Sequence, residues 1–237
     1  MSAVAAEPGI RVLHLADDAF VLSHRLAQWS SRAPTLEEDV ALTNIALDLL
    51  GQARALYAHA ATLDGSGRSE DDYAFLRDER EFANCLLVEL ENGDFAMTMG
   101  RQLLYSTYQH QQWAALSGSA DAQVAAIAAK AFKETAYHLD HATQWVLRLG
   151  DGTDESHQRM QAAVDALWPY TGELFEEGAD RSAWDASVDT VLTNAMLLRP
   201  SPTWSPSGGR RGLHTEAFGY MLAEMQHLHR SFPGARW

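Results

Sequence analysis

Residues Thr35 to Gly65 read TLEEDVALTNIALDLLGQARALYAHAATLDG. Apolar residues return at Leu42, Ile45, Leu49 and Leu56, and Gln52 is the polar member of the same stripe. Steps of three and four residues are the period of one face of an α-helix; a strand would need alternation. Thr35 has the oxygen-bearing side chain of an N-cap, and Glu38 three residues on completes a capping box. Pro34 closes whatever comes before, and Asp64-Gly65-Ser66-Gly67 ends the run. The stretch predicts a long helix over 36–63.

The same period extends outward. A first helix is expected over 17–30, stopping before Pro34. Two short helices fill 69–88. Asn92-Gly93-Asp94 is a turn with Asp94 as N-cap, opening a third long helix over 94–116 that Gly118 breaks. A fourth runs over 121–149 until Gly150-Asp151-Gly152. A helical extension then spans 153–230. It has segments at 153–168 and 182–198, a loop rich in Pro, Ser, Gly and Arg at 200–212, and a last amphipathic helix at 215–229. No run alternates as a strand would. The expectation is an all-α chain forming one domain over 1–237, a four-helix bundle with additional C-terminal helices.

With 237 residues, 46% hydrophobic and 21% charged, the chain is long enough for a sizeable core and ordinary for a globular protein. A net charge of −14 argues against nucleic acid and anionic membrane surfaces as partners. The one cysteine, Cys85, lies in the apolar run Cys85-Leu86-Leu87-Val88 and is expected to be a buried core thiol. Met1–Pro8 has neither a basic start nor an apolar core segment, and no run reaches the roughly 20 apolar residues of a membrane span. A cytoplasmic protein is expected.

A bundle of this ferritin-like kind raises the question of metal. A carboxylate-bridged di-iron site takes one glutamate from each of two helices and a Glu-x-x-His pair from each of the other two. Glu224-Met225-Gln226-His227 is the one such motif, alone and outside the four long helices; it reads as a solvated face. Asp154-Glu155-Ser156-His157 is a near match whose acids suit a helix start. The third helix has no acid from Phe95 to Ala120, and the first has none between Ala19 and Leu36. On the inward faces the sequence leaves Asp48 and Gln52 on the second helix and Glu134, Thr135 and His138 on the fourth, with His141 beyond. The last stripe reads Ala128, Ala131, Thr135, His138, Ala142, Trp145. Asp48, Gln52, Glu134 and His138 are read as a residual polar cluster, a hydrogen-bond network rather than a mononuclear metal site. His24 and His110 are expected to be satisfied core or interface histidines, and Tyr105, Tyr108 and Trp113 core or partner surface.

Several blocks carry a resemblance. They include Ile45-Ala46-Leu47-Asp48-Leu49-Leu50-Gly51-Gln52-Ala53-Arg54, Leu76-Arg77-Asp78-Glu79-Arg80, Asn92-Gly93-Asp94-Phe95-Ala96 and Ala129-Lys130-Ala131-Phe132-Lys133-Glu134. Leu167-Trp168-Pro169-Tyr170-Thr171-Gly172-Glu173, Gly212-Leu213-His214-Thr215-Glu216 and Pro233-Gly234-Ala235-Arg236-Trp237 continue them in order. Over nearly its whole length the chain resembles the structural, non-catalytic subunits of bacterial phenylacetyl-CoA monooxygenase (ring 1,2-epoxidase) complexes, of the ferritin-like superfamily. The resemblance implies that Leu49 and Gln52 stand where the catalytic paralogue has one Glu-x-x-His pair, and Thr135 and His138 where it has the other. It implies no catalytic, cofactor or metal residue in this chain, di-iron in the catalytic paralogue, and FAD and iron–sulfur in an NADPH-dependent reductase. The implied partners are that paralogue, the smaller subunits and the reductase, with a homodimer open to the isolated chain. The implied role is to stabilise the catalytic paralogue in aerobic phenylacetate breakdown. Two other readings stand beside it: an acyl-CoA-binding accessory module, with Arg54, Arg210 and Arg211 as phosphate contacts or, as preferred, as surface charge or salt bridges to a partner, and an independent metal-dependent oxygenase.

Overall fold

The structure is a computed structural model that describes residues 8–235. Along the chain run α1 (Pro8–Ala27), α2 (Leu36–Asp64), α3 (Glu70–Phe75), α4 (Leu86–Glu89), α5 (Phe95–Leu116), α6 (Ala122–Gly150), α7 (Asp154–Leu167), α8 (Arg181–Asn194) and α9 (Glu216–Ser231). Short 3₁₀ helices lie at Glu79–Glu81, Trp168–Phe175 and Gly209–Arg211. No strand occurs among the described residues, so the fold is all-α, with the long helices of a ferritin-like bundle. The described chain divides into two compact units: 92–206 forms one, and the flanking segments before 92 and after 206 form the other.

In the flanking unit α1 packs along α2. Thr35 caps α2 by accepting from the Glu38 N–H at 3.4 Å, and Gly65 closes it at φ 62°, a left-handed position that glycine takes without strain. The first helix departs from expectation. It begins at Pro8, nine residues before 17–30 would place it, and ends at Ala27. Proline lacks an N–H, but a helix's first turn has no partner for that N–H anyway, so Pro8 fits there. The earlier start puts Asp17 and Asp18 in mid-helix, both fully buried. The acid-free middle expected for this helix is therefore wrong. α9 packs on α3 and on the 79–81 turn.

In the inserted unit α5 packs on α6, α7 and α8. Asp94 caps α5 through the Met97 N–H at 2.9 Å, and Asp121 caps α6 through Gln123 and Val124. Thr153 and Ser156 form a capping box at α7. Trp113, Tyr105 and Trp184 are buried in this core, and Trp184 Nε1 donates to the Leu104 carbonyl at 2.9 Å. Tyr108 is buried with them. The segment expected as helix over 182–198 stops at Asn194. Its last turn closes through Leu197 N–H to Leu192 O at 2.9 Å, and Met196 takes φ 60°. The 3₁₀ helix at Trp168–Phe175, with Pro169 in its first turn, was not foreseen from the sequence.

Candidate functional site

The positions singled out from the sequence fall on one helix of each unit. On α2, Leu49 and Gln52 sit one turn apart on the buried stripe of Leu42, Ile45 and Leu56. Asp48 is half-buried beside that stripe. On α6, Thr135 and His138 are both buried, with Ala128, Ala131 and Ala142 on the same face. Trp145, assigned to that stripe, is only half-buried and packs edge-on to Phe95 at 4.9 Å; Val146 is the buried residue there. Glu134 is half-buried and pairs with Lys130 at 3.2 Å.

The donor chemistry of these positions is poor for iron. Leucine has no donor atom. Gln52 and Thr135 offer neutral oxygens, where hard iron needs anionic carboxylate. Thr135 is also committed: its hydroxyl donates to Ala131 O at 2.9 Å and lies 3.2 Å from His110 Nδ1. With that hydroxyl hydrogen spent, Nδ1 of His110 is the donor. Burial lowers the pKa of His110, which keeps its ring neutral, and the ring stacks on Phe132 at 4.2 Å. Thr135 and His110 thus form a hydrogen-bonded pair between α6 and α5. Among the described residues α5 contains no acid along its length, as expected. Within either unit, no three described His, Cys, Asp or Glu side chains group to hold a metal ion. Glu224 and His227 are exposed on α9, and His157 places Nδ1 2.7 Å from the Gly150 carbonyl that ends α6. His24 sits against Phe20 at 4.7 Å, and burial pulls its pKa down to about 4, so it is neutral at pH 7.

Sequence reasoning missed the charged interior of the flanking unit. Neighbouring residues on a helix point about 100° apart, so Asp17 and Asp18 reach different partners. Asp17 accepts from Tyr57 Oη at 2.6 Å, Ala83 N at 2.8 Å and Arg77 Nη1 at 3.1 Å, and also from Arg77 Nη2. Asp18 accepts from both Arg210 Nη atoms at 2.8 Å and from Cys85 N at 2.7 Å. An unpaired buried carboxylate costs several kcal/mol, which these donors offset. Burial alone would lower the Arg77 pKa, but the Asp17 carboxylate outweighs it and raises it; burial and Asp17 push the Tyr57 phenol well above its ordinary range. Cys85 is a buried thiol, as expected.

A third cluster ties the C-terminal segment down. Glu89 accepts from Asn84 Nδ2 at 2.8 Å and Thr215 N at 2.6 Å, and lies 2.7 Å from His214 Nδ1. His214 Nε2 lies 3.0 Å from Phe82 O. Both ring nitrogens therefore face acceptors, which only the imidazolium satisfies. Burial opposes that charge, but the Glu89 hydrogen bond and charge raise the His214 pKa above its ordinary value. A Cβ at Gly209 would fall 2.2 Å from Asn84 O, so only glycine lets the Gly209–Arg211 turn lie this close. The adjacent acids within Leu15-Ala16-Asp17-Asp18-Ala19-Phe20 were the legible signal, since paired charges in an apolar helical run demand partners. Arg54 bonds to Glu70 at 3.0 Å and Arg210 to Asp18 at 2.8 Å, both within the chain.

The profile of the phenylacetic acid catabolic protein family matches residues 3–237. The chain is 48% identical over 241 aligned positions to a 1,2-phenylacetyl-CoA epoxidase subunit of Escherichia coli (strain K12), covering 95% of this chain and 97% of that protein.

Proposed function

The chain belongs to the phenylacetic acid catabolic protein family, and from that premise we propose that it is a non-catalytic structural subunit of a multicomponent phenylacetyl-CoA ring epoxidase. Its work is to bind and stabilise a related di-iron catalytic paralogue in aerobic phenylacetate catabolism in the cytoplasm. The observation that carries this reading is the donor set. Leu49, Gln52 and Thr135, which the resemblance sets against ligands of the catalytic paralogue, carry no anionic donor, Thr135 is committed to Ala131 and His110, and α5 offers no acid. Iron then resides in the paralogue, and FAD and iron–sulfur in a reductase.

Two measurements test it together. Elemental analysis of the purified chain is expected to find no stoichiometric iron; about two irons per chain would refute the non-catalytic role. Co-expression with the other epoxidase components is expected to give a stable heteromer with the catalytic paralogue. Separate elution of the two at micromolar concentration would refute the partner role. Calorimetric titration with phenylacetyl-CoA distinguishes the accessory-module reading: heat from a saturable site on the isolated chain would favour that alternative.

A further inference from the structure

Residues 212–216 join the Gly209–Arg211 turn to α9, and three side-chain tethers hold this stretch down. At one end Arg210 donates to Asp18 at 2.8 Å and to the Ala83 carbonyl at 2.9 Å. At the other, Arg25 of α1 donates to the Ala217 carbonyl at 2.9 Å and, through Nε, to the Glu89 carbonyl at 2.9 Å. Arginine stays charged throughout the neutral range, so neither end tether titrates there. The middle tether is His214, whose side chain is fully buried against that of Glu89.

The middle tether depends on a proton. Nδ1 of His214 lies 2.7 Å from Glu89 and Nε2 3.0 Å from the Phe82 carbonyl. A neutral ring has a single N–H, so one nitrogen would turn a lone pair on an acceptor oxygen. Glu89, fully buried, would also lose the imidazolium charge beside it. Hydration of an opened stretch relieves both costs. The acids that face the ring, Glu89 of α4 and Glu79 of the 79–81 turn, favour its charged form. On α1 the charged groups are Arg25 and Asp18, the latter paired with Arg210. From α9 the Phe218 ring lies 4.4 Å away, and Glu216 is engaged with Tyr220 at 3.0 Å. Gly212, at φ 72° and so close to the Arg80 carbonyl that a Cβ would clash, places a hinge next to the Arg210 tether.

We propose that residues 212–216 form a pH-operated strap: closed over Phe82 and Glu89 while the His214 ring is charged, and opened locally when that proton leaves to solvent, with Arg210 and Arg25 keeping both ends tied. Opening frees the Glu89 carboxylate and, with it, the Thr215 N–H that it holds at 2.6 Å ahead of α9. The device does not depend on the structural-subunit reading.

Native-state hydrogen exchange of the full chain, read by mass spectrometry from about pH 6 to about pH 9, tests it. Each rate is divided into that of the unfolded chain at the same pH, which cancels base catalysis and leaves a protection factor. Protection over 212–218 is expected to be level below about pH 6.5. It then falls by up to about tenfold per pH unit until the folded pKa of His214 is reached. Throughout, it is expected to stay about a hundredfold or more below that of the buried α2 amides, because the opening is local. His214→Gln is expected to give low protection with no pH response. Strap protection that is level across the range overturns the proposal. So does protection equal to that of α2, since the stretch then opens only with the surrounding fold. A His214→Gln chain that keeps the wild-type pH response assigns the titration to another group and overturns it too. If that variant does not fold, the His214 ring is titrated by NMR in the wild-type chain. Its pKa is expected where protection stops falling, and a mismatch above about one unit overturns the strap.

Discussion

Replacing Asp17 by asparagine tests the charged interior directly. Asp17 is fully buried and receives Tyr57, Ala83 and both Nη atoms of Arg77. The amide keeps the shape but carries no charge and turns an N–H₂ toward groups that are themselves donors. Arg77, with its side chain 5% exposed, is left charged without its carboxylate. Removing one partner of a buried pair costs about 3–5 kcal/mol. Against a total of about 5–15 kcal/mol that is a large fraction. At roughly 2–4 °C per kcal/mol for a chain of this size, the melting midpoint falls by about 6–20 °C. Arg77→Met is expected to be destabilising too, since it strands the carboxylate with Tyr57 and Ala83. The Asp17→Asn, Arg77→Met double variant is expected to lose markedly less than the sum of the singles, with a coupling of about 1–3 kcal/mol. Urea denaturation followed by circular dichroism gives the four energies. Amide exchange at Ala83, whose N–H donates to Asp17, reads the site locally. A cost for Asp17→Asn under about 1 kcal/mol, or strict additivity in the double variant, refutes the reasoning.

Two further outcomes follow from named positions. His214 is held as an imidazolium between Glu89 and Phe82 O, and its pKa is raised on folding. A raised pKa contributes stability that is fully present below the unfolded value of about 6.5 and is lost as pH climbs through the folded value. Stability is therefore expected to decline as pH rises above about 6.5, and His214→Gln to flatten that part of a pH series of urea melts; an unchanged slope counts against the latch. Gly51 lies exposed within α2, and a Cβ there would meet nothing within 4 Å. Gly51→Ala is expected to stabilise the isolated chain by about 0.5–1 kcal/mol. A destabilisation in the same urea assay would contradict this account of α2.

The sequence by itself determined the helices and most of their ends, because caps and breakers act locally: Thr35, Asp94 and Asp121 each bond to a backbone N–H within their own first turn. It also determined that Leu49, Gln52 and Thr135 are not anionic ligands, since residue identity alone decides that. The N-terminal stretch Met1–Glu7 and the closing Arg236-Trp237 lie outside the described residues. Only the tertiary structure decided which charges pair. Asp17 meets Arg77 across 60 residues and Asp18 meets Arg210 across 192, separations at which no periodicity carries information. The start of α1, expected at residue 17, was placed wrongly for a related reason. Pro8 fits a helix start as well as a stop, and only burial of Val12, Leu15 and Ala16 favours helix there over the alternatives. Likewise Met196 and Leu198 are ordinary apolar residues in the sequence. The turn that exposes them is held in part by Gln161 of α7, 37 residues before Leu198.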